Sequence, residues 1–268
     1  MGLGPIRLLG DGGLSELLGA LRLRVEVEEI EPVDESMPEM ARVIELDRRL
    51  AVLVRETVDS GSFPLVLAGN CNSCLGTVAG VGPEGLAVIW FDAHADFDTA
   101  EDNVSGFFDV MGLSILTGTA FQALAGTIPG FSPIEEPRVV LAGARDLEPY
   151  QERRLRGSGV QALFGERLRR EGLIAALEPA VEELRSSTST AYLHLDLDSL
   201  DPSEGTANEY SAPGGLSLAE LEDGIDLVFE RFSVKAAAVT AYDPEEDPEG
   251  RMLKTAQRVV AAVARNAR

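Results

Sequence analysis

Two apolar runs in this chain each end in a cluster of acids: Val88-Ile-Trp-Phe-Asp92-Ala-His94-Ala-Asp96 and Tyr192-Leu-His194-Leu-Asp196-Leu-Asp198. A strand-like run without polar alternation has to be covered on both faces, as a parallel strand is inside an α/β protein. The polar groups that close each run sit two apart, so they share one face while the backbone stays extended. Five carboxylate or imidazole groups facing one crevice repel each other unless a cation neutralises them. The pattern therefore predicts a buried parallel sheet carrying a dinuclear metal site where its strands end.

The rest of the chain agrees with that architecture. Strands are expected at 22–28, 64–69, 86–92, 138–142, 160–164, 190–197 and 235–241. Helical patterns fill 37–60, 72–80, 109–118, 147–157, 166–184, 217–231 and 251–266. Gly82-Pro83, Pro129-Gly130 and Gly157-Ser-Gly159 punctuate them as turns. Such alternation predicts a three-layer, doubly wound, mostly parallel sheet whose ligands bind at the carboxyl ends of the strands. Asn70-Cys71, the Asp92 cluster and the Asp196 cluster all fall at such ends. With 268 residues, 45% of them hydrophobic, the chain suffices for one large core, so residues 1–268 are expected to form a single domain.

Several function classes are disfavoured. No apolar run reaches about 18 residues, the length a membrane span needs. The start, Met-Gly-Leu-Gly-Pro-Ile-Arg, lacks the charged opening and long apolar stretch of a signal peptide, so a cytoplasmic location is expected. The net charge of −22 disfavours nucleic acid and anionic membranes as partners and favours a small cationic one.

Cys71 and Cys74 form a lone C-x-x-C. A redox pair would need a low-pKa thiol, which Asn72-Ser73 does nothing to provide. A structural zinc site needs about four ligands, and the chain has two cysteines and two histidines in all. The remaining alternatives are one thiolate joining the acidic cluster, with the other thiol packed in a helix, or two buried small residues.

A carboxylate bridging two divalent ions lets them share a water, whose pKa falls toward neutrality. Hard oxygen ligands with one imidazole suit Mn²⁺ better than zinc. Asp92 and Asp196, each first in its cluster, are the expected bridges; His94 and Asp198 would complete one ion and Asp96 would help hold the other. His194 shares the face of Asp196 and is expected to support the ligands by hydrogen bonding rather than to bind metal. Asp201 before Pro202 is expected to shape a turn.

Phe91-Asp-Ala-His-Ala-Asp96 and His194-Leu-Asp-Leu-Asp-Ser-Leu-Asp-Pro202 resemble the two signature motifs of the arginase/agmatinase (ureohydrolase) family. Ala212-Pro-Gly-Gly-Leu216 and Leu141-Ala-Gly-Ala-Arg-Asp146 are similar to further family segments, so the resemblance runs from about residue 60 to the end. Gly2-Leu-Gly-Pro5 resembles the Gly-x-Gly-Pro after the family's first strand, which would then be missing. The resemblance implies an arginase/deacetylase-like fold, two Mn²⁺, a guanidino or amidine substrate and a homo-oligomer, trimer or hexamer.

Four departures fall on the site. The family's metal-binding His corresponds to Cys71, where a relative acting on hydroxyarginine also resembles this chain in using Cys. The family's proton-shuttling His corresponds to Asp109, which would either relay protons with a raised pKa or cap the helix beginning there. The Asn that reads an amino-acid carboxylate corresponds to Asp98, whose charge would repel such a group. The guanidinium-binding Glu falls at Ala241, leaving Asp243 as its replacement by spacing. Asn103 and Ser105 stand at the family's substrate-contact positions.

These features predict a manganese-dependent amidinohydrolase acting on linear amidines or guanidino compounds, releasing urea, with arginine itself disfavoured. Cys71, Asp92, His94, Asp96, Asp196 and Asp198 would bind metal; Asp96 and Asp109 would carry protons. Asp98, Asn103, Ser105 and Asp243 would meet the substrate. The alternative is a homologue that binds metal or ligand without turnover. A phosphoryl-transfer enzyme using Asp196-x-Asp198 leaves the Asp92 cluster unexplained and lacks a phosphate-gripping Gly-rich loop.

Overall fold

The computed structural model describes residues 2–10, 12–104 and 106–267. Six strands form one sheet: β1 (Leu65–Leu67), β2 (Leu86–Phe91), β3 (Val139–Ala142), β4 (Gln161–Leu163), β5 (Thr190–Asp196) and β6 (Ser233–Thr240). Their order is β1-β6-β5-β2-β3-β4, and every neighbouring pair is parallel. Eleven α-helices are described: α1 (Gly4–Gly10), α2 (Gly13–Ala20), α3 (Glu39–Asp59), α4 (Cys74–Val81), α5 (Gly112–Leu116) and α6 (Gln122–Ala125), then α7 (Pro149–Gly157), α8 (Gly165–Glu171), α9 (Leu173–Arg185), α10 (Leu218–Arg231) and α11 (Arg251–Asn266).

The continuous apolar runs become the central strands for the reason their pattern gives. Every residue of β2 is buried, and the pleat sorts its side chains to two sides. Ala87, Ile89 and Phe91 join Leu193, Leu195, Val239 and the apolar faces of α9, α10 and α11 in one core. Val88 and Trp90 join Tyr192, Ala236, Ala238 and residues of α3, α4 and α5 in the other. These are the three layers of a doubly wound fold. β2, β5 and β6 lie side by side at its centre, so the segments leaving their carboxyl ends converge on one crevice, where such folds bind ligands.

Several expected elements are altered. Residues 22–28 form no strand: the segment has no ladder partner among the described residues, and Val25 and Val27 stay 49% and 62% exposed. Alternating Val and Glu favour an extended chain, but a strand exists only where a neighbour supplies hydrogen bonds. The helix expected at 166–184 breaks at Gly172, whose φ of 83° separates α8 from α9. The helix expected at 109–118 opens as a 3₁₀ turn, Phe108–Met111, before α5. The sequence reading missed α1 and α2. Leu8 and Leu14 anchor them in the core with α11, and that burial outweighs the weak helix propensity of a glycine-rich segment. At Gly4 the backbone approaches so closely that a Cβ would collide with the Tyr242 carbonyl oxygen.

Candidate metal centre

Asp92 is the first residue beyond β2, and both of its oxygens are held. Oδ1 accepts the His94 N–H at 2.7 Å, and Oδ2 accepts the Trp90 indole N–H at 2.8 Å. Asp196 ends β5; its Oδ1 accepts the Asp198 N–H at 2.8 Å. Asp198 Oδ1 accepts the Ala93 N–H at 3.1 Å, which ties the β5 cluster to the β2 cluster. The guanidinium of Arg145 braces the same corner by donating to the carbonyls of Asp198 and Ala212, each at 2.7 Å.

Two groups of candidate ligands result, each with its donor atoms within 4.8 Å of one another: Cys71, Asp92 and Asp196, and Asp92, His94 and Asp198. Asp92 belongs to both. Asp196, the other expected bridge, belongs to the first alone. Cys71 reaches the site from the turn after β1, where its thiol donates to Asp196 Oδ2 at 2.9 Å. Its backbone is fixed by Asp109, whose carboxylate accepts the N–H groups of Cys71 at 3.1 Å and Asn72 at 2.9 Å.

The charges do not balance from within the protein. Burial first, then the Asp198 and Asp92 charges, pushes Asp196 well above the usual carboxylate range; burial and Asp92 do the same to Asp96. Burial would lower His94, but Asp198 and Asp92 outweigh it and push the imidazole up to about 12. Its Nδ1 lies 3.2 Å from Asp198 Oδ2 and 3.3 Å from Asp92 Oδ1. Burial would raise Asp198, and His94 overrides this, bringing it down to about 2. His94 Nδ1 thus stands between two buried carboxylates, at a position that calls for a cation. Carboxylates, one imidazole and one thiol around that position fit divalent metal ions.

Behind the ligands lies a buried supporting layer. Trp90 stacks on His194, with centroids 3.6 Å apart and planes 17° from parallel. His194 Nδ1 pairs with the Tyr192 hydroxyl at 2.8 Å and Nε2 with Thr240 Oγ1 at 3.3 Å. Burial lowers its pKa to about 3, so it is neutral, and it stands outside both ligand groups. Thr240 Oγ1 in turn donates to Asp196 Oδ2 at 3.2 Å. Cys74 is buried inside α4 with its thiol toward the Gly112 carbonyl.

An open cleft of about 430 Å³ sits over the centre. Its floor is Cys71, Asp92, His94, Asp96, Asp196 and Asp198; its walls are Phe107, Asp109, Val110, Asn208, Tyr210 and Ala241. Asp96 and Ala241 both hold left-handed backbone, with φ of 46° and 64°. Strain of this kind costs on the order of 1–3 kcal/mol per residue and gathers at functional sites. Asp109 is pushed up to about 7 by burial, against the pull of the two N–H groups it accepts.

Three of the expected substrate contacts, Asp98, Asn103 and Asp243, lie outside the cleft lining. Asp98 is not in the cleft: it is buried, and its Oδ2 accepts the Tyr150 hydroxyl at 3.0 Å and the Gln151 amide at 3.1 Å. Asn103 shapes its own loop, donating to the Phe107 carbonyl at 2.7 Å and accepting the Gly106 N–H at 2.8 Å. Asp243 is outside the lining, with Oδ1 accepting the Glu245 N–H. Ser105 lies outside the described residues. Phe107, Val110, Asn208 and Tyr210 escaped the sequence reading because no motif spacing marks them; only the fold carries their loops over the strand ends.

The model of the arginase family matches residues 15–266. The arginase of Bacillus caldovelox is 34% identical over 231 residues, covering 85% of this chain and 76% of that protein. The crystal structure of arginase from Bacillus subtilis superposes with a TM-score of 0.88 at 28% identity, covering 98% of this chain and 91% of that one. The agmatine ureohydrolase of Thermoplasma volcanium shares the fold, with a TM-score of 0.66 at 17% identity over 95% and 82% of the two chains.

Proposed function

The chain belongs to the arginase family of ureohydrolases, and on that premise we propose that it is a binuclear, manganese-dependent hydrolase of linear guanidino or amidine compounds lacking an α-carboxylate. The observation that carries this is the pair of ligand groups sharing Asp92 beneath a cleft whose described lining contains no Lys or Arg. A substrate carboxylate there would be buried among carboxylates without a counter-charge. A guanidinium or amidinium would be drawn in by the same field.

Cys71, Asp92 and Asp196 would hold one ion, and Asp92, His94 and Asp198 the other. When bound, such a pair supplies a water acidified toward neutrality. The chain's own groups do the rest. The acidic floor holds the guanidinium against the reacting water, which adds to the central carbon. With a guanidino substrate the bond to the substituted nitrogen breaks, the leaving amine takes a proton and urea is released; an amidine would give an amide and ammonia. Asp96 and Asp109 line the cleft as proton carriers, and Asp109 titrates near neutrality as that role requires.

The test is a urea-release screen of manganese-loaded protein over guanidine, butylguanidine, 4-aminobutylguanidine and arginine. Turnover of a carboxylate-free compound in preference to arginine is expected. Arginine as the best substrate would refute the specificity. No urea from any compound, at full metal content, would favour a homologue that binds without turnover, which Ala241 at the expected guanidinium-binding position also motivates.

A further inference from the structure

One wall of the cleft is aromatic and has no part in holding metal. The Phe107 and Tyr210 rings lie 5.9 Å apart with planes 25° from parallel. Tyr210 also sets its ring at 90° to that of His94, 6.4 Å away, so the aromatic surface continues down to the metal floor. Tyr210 is 42% exposed, an uncommon position for a ring that no core requires.

The backbones of both residues are held by side-chain amides. The Tyr210 N–H donates to Asn208 Oδ1 at 2.9 Å, while the buried Asn208 Nδ2 donates to the Ala241 carbonyl at 2.9 Å and to Asp198 Oδ2 at 3.3 Å. On the other side, Asn103 donates to the Phe107 carbonyl at 2.7 Å. The wall is thus registered to a candidate metal ligand on one flank and to a braced loop on the other, the preorganisation that a recognition surface needs.

We infer that Phe107 and Tyr210 determine specificity by receiving the hydrocarbon group, alkyl or aryl, attached to the substrate's guanidinium or amidinium. The inference rests on the proposed function and narrows its substrate class to apolar N-substituted compounds. With the charged head on the acidic floor, the walls offer the next few heavy atoms ring surface and Val110 beside the polar Asp109 and Asn208. Apolar substituents gain burial and ring contact there. An amino-acid tail would instead bring two charges against an aromatic wall that offers its carboxylate no partner.

Equilibrium binding to manganese-loaded protein tests this independently of turnover. The probes are guanidinium, butylguanidinium, phenylguanidinium and arginine, measured by calorimetry on the native chain and on Tyr210→Ala, Phe107→Ala and Phe107→Leu. The native protein should bind butyl- and phenylguanidinium about tenfold more tightly than guanidinium, as a buried ring or short alkyl group provides. That ratio should collapse to about twofold in the Ala variants and persist in part in Phe107→Leu, which keeps apolar surface. No apolar preference in the native protein, a preference unchanged in both Ala variants, or arginine binding as tightly as butylguanidinium would each overturn the assignment. Absence of urea with the binding preference intact would sink the hydrolase reading and leave the aromatic wall standing.

Discussion

The indole N–H of Trp90 donates a 2.8 Å hydrogen bond to Oδ2 of Asp92, two residues further along the same chain. Asp92 is the one residue common to both ligand groups, so the hydrogen bond orients the carboxylate on which the whole centre turns. Trp90→Phe keeps the apolar packing and deletes the donor. Removing a support of this kind weakens metal binding about 10- to 100-fold. Manganese titration followed by metal analysis checks it; unchanged affinity would mean that Trp90 serves packing alone.

Cys71→Ser should cost one ion and spare the other, because Asp92, His94 and Asp198 do not depend on the thiol. Cobalt-loaded native protein should show a thiolate-to-metal charge-transfer band that the Ser variant lacks. A variant with two equally tight ions and no change in the spectrum would remove Cys71 from the ligand set.

Metal removal should lower the melting temperature, since ions that bind only the folded centre stabilise it by mass action. Asp109 contributes to the pH dependence of the chelated protein, because burial lifts its carboxyl from the ordinary aspartate value of 3.8 to about 7. The stability it contributes is full below that unfolded value and is lost as pH rises through about 7. Chelated protein should therefore melt lower at pH 8 than at pH 5, and Asp109→Asn should flatten that difference. Equal slopes for the two proteins would contradict the assignment.

Asp201 ties two loops together: Oδ1 accepts the Ser203 N–H at 3.0 Å, and Oδ2 accepts those of Gly214 at 2.8 Å and Gly215 at 3.3 Å. Asp201→Ala should destabilise the fold by about 1.5–3 kcal/mol, the range for hydrogen bonds to a charged group. Ser203 holds the carboxyl down to about 2, so its contribution is present above the ordinary aspartate value and disappears as pH falls through about 2. In denaturant melts the gap between the variant and native chains should be smaller at pH 2.5 than at pH 7; a constant gap would contradict this.

The sheet was legible because burial on both faces leaves a simple trace. Leu86–Phe91 has no polar residue, and such a run has few places to go but the middle of a parallel sheet. The ligand clusters were legible because they close the two buried runs. Asp92, His94 and Asp96 lie beyond β2, however, and Asp198 in a 3₁₀ turn after β5, so loop geometry rather than strand alternation brings them together. What escaped depends on partners distant in sequence. Residues 22–28 carry strand-like alternation but lack a neighbouring strand among the described residues, while α1 and α2 carry poor helix formers but gain a partner in α11. At the site, Asp98 occupies a motif position yet turns to Tyr150 and Gln151 on α7, an orientation that no local pattern encodes. Phe107 and Tyr210 meet only because two loops converge over β2 and β5.

The most direct test is metal stoichiometry, measured on manganese-loaded native protein and on Asp92→Asn. Two ions per native chain are predicted, with both lost or greatly weakened in the variant, because each ligand group loses the carboxylate it shares. One ion or none in the native chain, or two retained without Asp92, would contradict a binuclear centre built on that residue.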